Sequence, residues 1–383
     1  SLLGYAGRVS GQESVTITQC YEWARANYPQ IHQMGLIDQT ERYSLSNVGK
    51  AWLPQLSVSG KASYQSDVTK LPLDGDKISS LLPGFEIPSL SKDQYQVVAQ
   101  VDQTIWDGGS TRSARALTRA EAIANREQLE SELYALNDRV NQIYFGCLLQ
   151  DELIRQNALL QKELQVNIEP TKPMMDKGVA NQSDLESMEV ELLNARQNEI
   201  ERRASRTAYR QMLATFINKP LTDQVVLKTP ESPERSLSTQ INRPELRALD
   251  AKSEWIETQN KQVTAGLMPR IGAFVQGGYG RPGLNMLEDS FEPYYVAGVR
   301  RSWNLGKLYT LKNDRRKIEV SRRQIDVQRE TFLFNTRLQL LQQNTEIKKM
   351  TDLMRADDDI IRLRTSIKQA AEVKLENGVI SVT

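Results

Sequence analysis

One histidine, two cysteines and a net charge close to zero set the first limits on this 383-residue chain. His32 stands alone, so neither a histidine-based triad nor a histidine-rich metal site can be assembled. Cys20 and Cys147 form no CxxC pair, and Gln19 occupies the place where a lipidated cysteine wants a small residue. Both thiols are therefore expected to be free, and no zinc site is expected. The 49 basic residues against 48 acidic ones leave no field to hold nucleic acid. No run of about 18 apolar residues occurs, so no helix is expected to cross a bilayer. A soluble protein or a β-barrel remains, because barrel strands are apolar only at alternate positions. No paired carboxylates, nucleophile–base pair or metal cluster converges in a motif, so neither catalysis nor a cofactor is expected. Gly277-Gly278-Tyr279-Gly280 lacks the Lys-Ser or Lys-Thr and the following helix of a phosphate loop, and reads as a strand end.

What the chain does contain is a second version of itself. Asn27-Tyr28-Pro29-Gln30-Ile31 returns as Asn242-Arg243-Pro244-Glu245-Leu246. At the same spacing Leu53-Pro54-Gln55-Leu56 returns as Met268-Pro269-Arg270-Ile271, and Tyr64 as Tyr279. Ile105-Trp106-Asp107-Gly108-Gly109 is echoed by Ser302-Trp303-Asn304-Leu305-Gly306, and Lys177-Gly178-Val179 by Asn377-Gly378-Val379. Five landmarks in one order predict two structural repeats, 15–218 and 241–383, joined by a surface connection over 219–240 that carries Pro220, Pro230 and Pro233. Residues 1–14 are expected to be a signal-peptide remnant or tail. The second repeat stops soon after Gly378, so its last helix is expected to be missing from this sequence.

Each repeat predicts helix, strand, loop, strand, long helix. From Ser110 to about Met175 helix formers dominate, and Leu129, Leu133, Leu136, Val140, Ile143 and Cys147 follow a heptad seam. Leu333, Leu340, Ile347, Met354 and Ile361 recur every seven residues in the second half. At about 1.5 Å per residue such helices are roughly 100 Å long, the pattern of a coiled coil.

Four strands alternate between an apolar and a polar face. Gln55 to Tyr64 sets Leu56, Val58, Gly60, Ala62 and Tyr64 against Gln55, Ser57, Ser59, Lys61 and Ser63. The second sets Val97, Ala99, Val101 and Ile105 against Gln96, Gln100, Asp102 and Thr104, and the third Ile271, Ala273, Val275 and Tyr279 against Arg270 and Gln276. The fourth, near Tyr294 to Ser302, meets an arginine on each face (Arg300, Arg301). Alternation alone also fits a half-buried soluble sheet. The aromatics favour a membrane barrel: Tyr64, Tyr95, Tyr279, Tyr294 and Tyr295 gather at one end of the strands, and Trp52, Trp106 and Trp303 at the other, as two interfacial girdles. The loops 65–94 and 280–293 are polar and rich in Pro and Gly.

In its doubled Asn-x-Pro, Leu-Pro-x-Leu, Trp-Asp-Gly-Gly and Gly-Val landmarks, the chain resembles the TolC-like outer-membrane efflux protein family over Val15 to Thr383. The resemblance implies an α+β fold in which four strands per chain join a trimeric outer-membrane barrel, continuous with a long periplasmic barrel of coiled-coil helices. It implies a homotrimer in outer-membrane lipid that works with a periplasmic adaptor (membrane fusion) protein and an inner-membrane transporter, in tripartite efflux or type I secretion. The helix turns Gly178-Val179-Ala180 and Gly378-Val379 would be the adaptor-docking tip, and are helix caps in any case. Asp184 would stand close to the periplasmic entrance. Asp357, Asp358 and Asp359 either line the tunnel as acids or form a solvated helix face. Trp52, Tyr64, Trp106, Tyr279 and Trp303 would mark the membrane interfaces. A soluble periplasmic coiled-coil adaptor or scaffold without a pore is the alternative function, and it leaves the girdles unexplained.

Overall fold

A computed structural model describes residues 14–68, 90–176, 181–231, 241–285 and 288–376. In chain order the elements are β1 (Ser14–Val15), α1 (Ile17–Asn27), α2 (His32–Gly49), β2 (Gln55–Tyr64), β3 (Asp93–Trp106), α3 (Ser110–Tyr134), α4 (Leu136–Asp176) and α5 (Gln182–Ile217). There follow β4 (Val226–Leu227), α6 (Pro244–Ala265), β5 (Arg270–Arg281), β6 (Glu292–Ser302) and α7 (Lys307–Glu376). They form two compact units. One comprises Ser1–Gly35, Arg126–Ala248 and Val327–Thr383, the other Leu36–Asn125 and Leu249–Asp326.

The first unit is built on α1, α4 and α5. Thr16 and Gln19 close a capping box at the start of α1. Along α4 and α5 the contacts run in opposite senses: Gly146 faces Tyr209, Asp151 pairs with Arg206, Gln161 bonds Glu199 and Lys172 meets Glu189, so the two helices are antiparallel. The first heptad seam is where it was expected: Leu129, Leu133, Leu136, Val140, Ile143 and Cys147 are all buried. The expected single helix is divided at Ala135, whose N–H still donates to Ser131 O at 3.3 Å. Pro170 and Pro173 lie inside the last turns of α4 without ending it.

Cys20 and Cys147 meet in this core as free thiols, and burial pushes each up to about 11. Tyr144 is fully buried, with its hydroxyl 2.9 Å from Val15 O and 2.6 Å from Lys228 O, which holds the parallel pair β1–β4 in place. Arg210 donates to Thr222 O and Val225 O. Within the expected surface connection, therefore, Val225 and Leu227 belong to the core. Residues 232–240 lie outside the described residues.

The second heptad seam behaves differently. Leu340, Ile347, Met354 and Ile361 on α7 are 45–67% exposed, and only Leu333 is half-buried. The same spacing that is covered on α3 and α4 is bare on α7 among the described residues.

The second unit carries an antiparallel sheet in the order β2-β3-β5-β6, and packs Ile256 of α6 on Ile318 and Ile325 of α7. β2 begins and ends where the alternation places it. β5 and β6 run further than expected, with Gly280 opposite Glu292 and Tyr279 opposite Pro293. Glycine leaves a ladder intact, and proline is tolerated near the start of an edge strand.

Candidate functional site

The sheet distributes its residues in the reverse of a soluble protein. Antiparallel register sets Leu56, Val101, Val275 and Ala297 in one row, and Val58, Ala99, Gly277 and Tyr295 in the next. This apolar face is bare: Val58 is 69% exposed, Val97 56%, Val275 55% and Val299 70%. The opposite face carries Ser57, Gln100 and Gln276 in one row and Lys61 and Gln96 in another, and its β3 and β5 side chains are the more shielded. Water would favour the opposite arrangement by about 25 cal/mol for each Å² of apolar surface covered. Ten residues of β2 extend about 33 Å, or about 24 Å at a barrel's tilt, the height of an outer-membrane apolar band.

Aromatics frame this band. Tyr64, Tyr95 and Tyr279 are exposed at one end, and Phe291 stacks on Tyr95 and Tyr279 with centroids at 6.4 and 5.7 Å. Trp52, Trp106 and Trp303 are exposed at the other, where Trp303 Nε1 donates to Leu267 O at 2.9 Å. Tyr294 does not join them. It stands on the polar face opposite Gly278, where its hydroxyl accepts from Gln96 Nε2. A bulge between Thr104 and Trp106 sets Trp106 opposite Ile271, so Ile105 is the extra residue and no longer continues the alternation. The two arginines of β6 separate: Arg300 is on the polar face, its guanidinium carbon 4.9 Å from the Phe274 ring centroid, and Arg301 lies at the strand end 5.9 Å from Trp303. An arginine at a membrane interface costs only about 0–1 kcal/mol.

β3 passes into α3 through a built turn. Gly109 N and Thr111 N donate to the Asp107 carboxylate at 2.9 and 2.6 Å, while Gly108 and Gly109 take φ +67° and +84°. Burial alone would push Asp107 up, but the hydrogen bonds from Thr111 and Gly109 outweigh it and hold the carboxyl below its ordinary value.

The helix-turn residues Gly178, Val179, Ala180, Gly378 and Val379 lie outside the described residues, as does most of the loop 65–94. Asp184 is half-buried in the first turn of α5, after Asn181. Asp357, Asp358 and Asp359 are exposed on α7, and Asp359 pairs with Arg362 at 3.1 Å. Among the described residues no group of acids, histidines or cysteines could hold a metal, and no helix is long and apolar enough to cross a membrane. Sequence reasoning missed Phe291, and also the basic residues Arg112, Arg115, Arg119 and Lys261 around one cavity. The three arginines were legible as cations on one face of a helix start that holds no acid.

The sequence model of the outer membrane efflux protein family matches residues 20–219, more than half of the chain. The chain belongs to the outer membrane efflux protein family. Its fold is that of solved outer-membrane channels. CusC, described as forming a transmembrane channel, is 13% identical with a TM-score of 0.63, over 95% of this chain and 83% of that one. The outer-membrane channel OprN is 16% identical with a TM-score of 0.62, over 96% and 81%. The Campylobacter jejuni CmeC outer membrane channel is 12% identical with a TM-score of 0.61, over 95% and 77%. A search of curated proteins found no match. As an outer membrane efflux protein, the chain has a sheet suited to lipid and long helices with coiled-coil spacing.

Proposed function

We propose that this outer membrane efflux protein is one subunit of a homotrimeric passive exit duct. Four strands per copy close a twelve-stranded barrel, and two internal repeats continue it as a helical tunnel through the periplasm. The observation that carries the reading is the sheet with its apolar face bare and the opposite side chains of β3 and β5 the more shielded. β2 and β6 each keep an edge with no partner strand among the described residues, and unpaired backbone groups in lipid cost several kcal/mol each. A single copy cannot remove that cost, whereas neighbouring copies can. The bare seam of α7 also calls for a covering helix.

In this reading an inner-membrane transporter delivers substrate through a periplasmic adaptor that docks on Gly178-Val179-Ala180 and Gly378-Val379. Asp184 stands near the periplasmic entrance, and Asp357, Asp358 and Asp359 face the tunnel. The duct does no chemistry of its own. Light scattering of the purified protein in detergent tests the assembly: three chains per particle are expected. A monodisperse monomer that needs no detergent would remove the barrel.

A further inference from the structure

We infer that the cavity between the starts of α3 and the ends of α6 binds the phosphate-bearing headgroup of an anionic membrane lipid. The inference rests on the membrane reading of the sheet. The cavity measures about 970 Å³, within the range of small-molecule sites, and Arg112, Arg115, Arg119 and Lys261 line it against the single carboxylate of Asp107. That carboxylate is already engaged by Gly109 N and Thr111 N.

These four cations share the lining of one cavity. Several helix cations elsewhere take an acid one turn away, as in Arg155–Glu152, Arg203–Glu199, Arg323–Glu319 and Arg362–Asp359. Among the described residues, none of the four forms an ion pair. The opening turn of α3 contains no acid, and Glu257, one turn before Lys261, is engaged by Arg322 at 2.8 Å. Arg112, in the opening turn of α3, also opposes that helix's macrodipole. An anion in the cavity meets all four cations at once and offsets the unfavourable charge of Arg112 at the helix start. Arg115 has a second role, since its Nη2 lies against Gly49 in the last turn of α2. Arg112, Arg119 and Lys261 have none.

The apolar lining identifies the source of the anion. Trp52 and Met268 share the cavity and are exposed, and they stand three and two residues before β2 and β5, where the bare apolar face begins. Cations and apolar side chains thus meet at the level where a lipid changes from head to tail. Basic pockets at that level recognise anionic headgroups.

The test compares the full chain with Arg112→Gln/Arg119→Gln/Lys261→Gln and with the control Arg155→Gln/Arg196→Gln/Arg202→Gln. Retention of phosphatidylglycerol and of phosphatidylcholine is measured by native mass spectrometry, with and without excess sodium phosphate. Flotation with phosphatidylcholine vesicles is measured in parallel. Wild type and control are expected to prefer phosphatidylglycerol by roughly tenfold or more, and the cavity variant to lose the preference while still floating. Sodium phosphate is expected to leave the preference in place. Equal preference in all three proteins overturns the inference, and so does its abolition by sodium phosphate, which would make this a free-anion site. Failure of wild type to float overturns the membrane reading and this inference together.

Discussion

Val58 and Ser59 are neighbours on β2 that the sheet turns in opposite directions, so the same substitution at each tests the proposed lipid and lumen faces. Val58 is 69% exposed on the apolar face, in a row with Ala99, Gly277 and Tyr295. Ser59 shares the polar face with Val98, Gly278 and Tyr294. Val58→Arg places a guanidinium in hydrocarbon at about 2–4 kcal/mol per copy near the midplane, or roughly 30- to 700-fold in the insertion equilibrium. In a trimer the cost falls three times. Ser59→Arg meets the water-filled interior of the proposed barrel and is expected to leave assembly unchanged while altering conductance. The assay is the fraction of heat-resistant oligomer in isolated outer membranes, read on gels before and after boiling. Equal loss in both variants would refute the assignment of the two faces.

The strand-to-helix turn separates Gly108 from Gly109. A Cβ on Gly108 would lie 2.5 Å from Met268 Cβ and 3.0 Å from Pro269 O, whereas one on Gly109 meets nothing, and both have positive φ. Gly108→Ala is expected to lose thermal stability well beyond the roughly 1 kcal/mol of Gly109→Ala; equal losses would contradict the close approach. Cys20 and Cys147, each raised to about 11 by burial, are expected to resist alkylation at neutral pH until the chain is unfolded, and rapid native labelling would contradict their place in the core. Gly178→Glu is expected to leave folding and insertion intact while export fails, because a charge left unpaired at the proposed docking surface costs several kcal/mol. Normal export by inserted protein would mean that the turn is only a cap.

Period carried most of what the sequence made legible. A repeat of two residues placed β2 from Gln55 to Tyr64 to the residue, and a heptad placed the buried line from Leu129 to Cys147. Where structure depends on partners, period was silent. The bulge at Ile105 is a property of how β3 meets β5, and which of the neighbours Tyr294 and Tyr295 turns to the polar face follows from register with β5. The equal spacing on α7 did not say that Leu340 to Ile361 would lack a cover, because a heptad states that a partner is wanted and not which one. The basic cavity was hidden for another reason: its cations come from α3 and α6, far apart in sequence.

Conductance of the purified protein in a planar lipid bilayer tests the duct most directly. The account predicts discrete, stable steps of water-filled pores, changed in size by Ser59→Arg and lost with Val58→Arg. A protein that inserts as folded oligomers and yet conducts nothing in either polarity, with the acid proposed to stand at the entrance removed by Asp184→Asn, would contradict it.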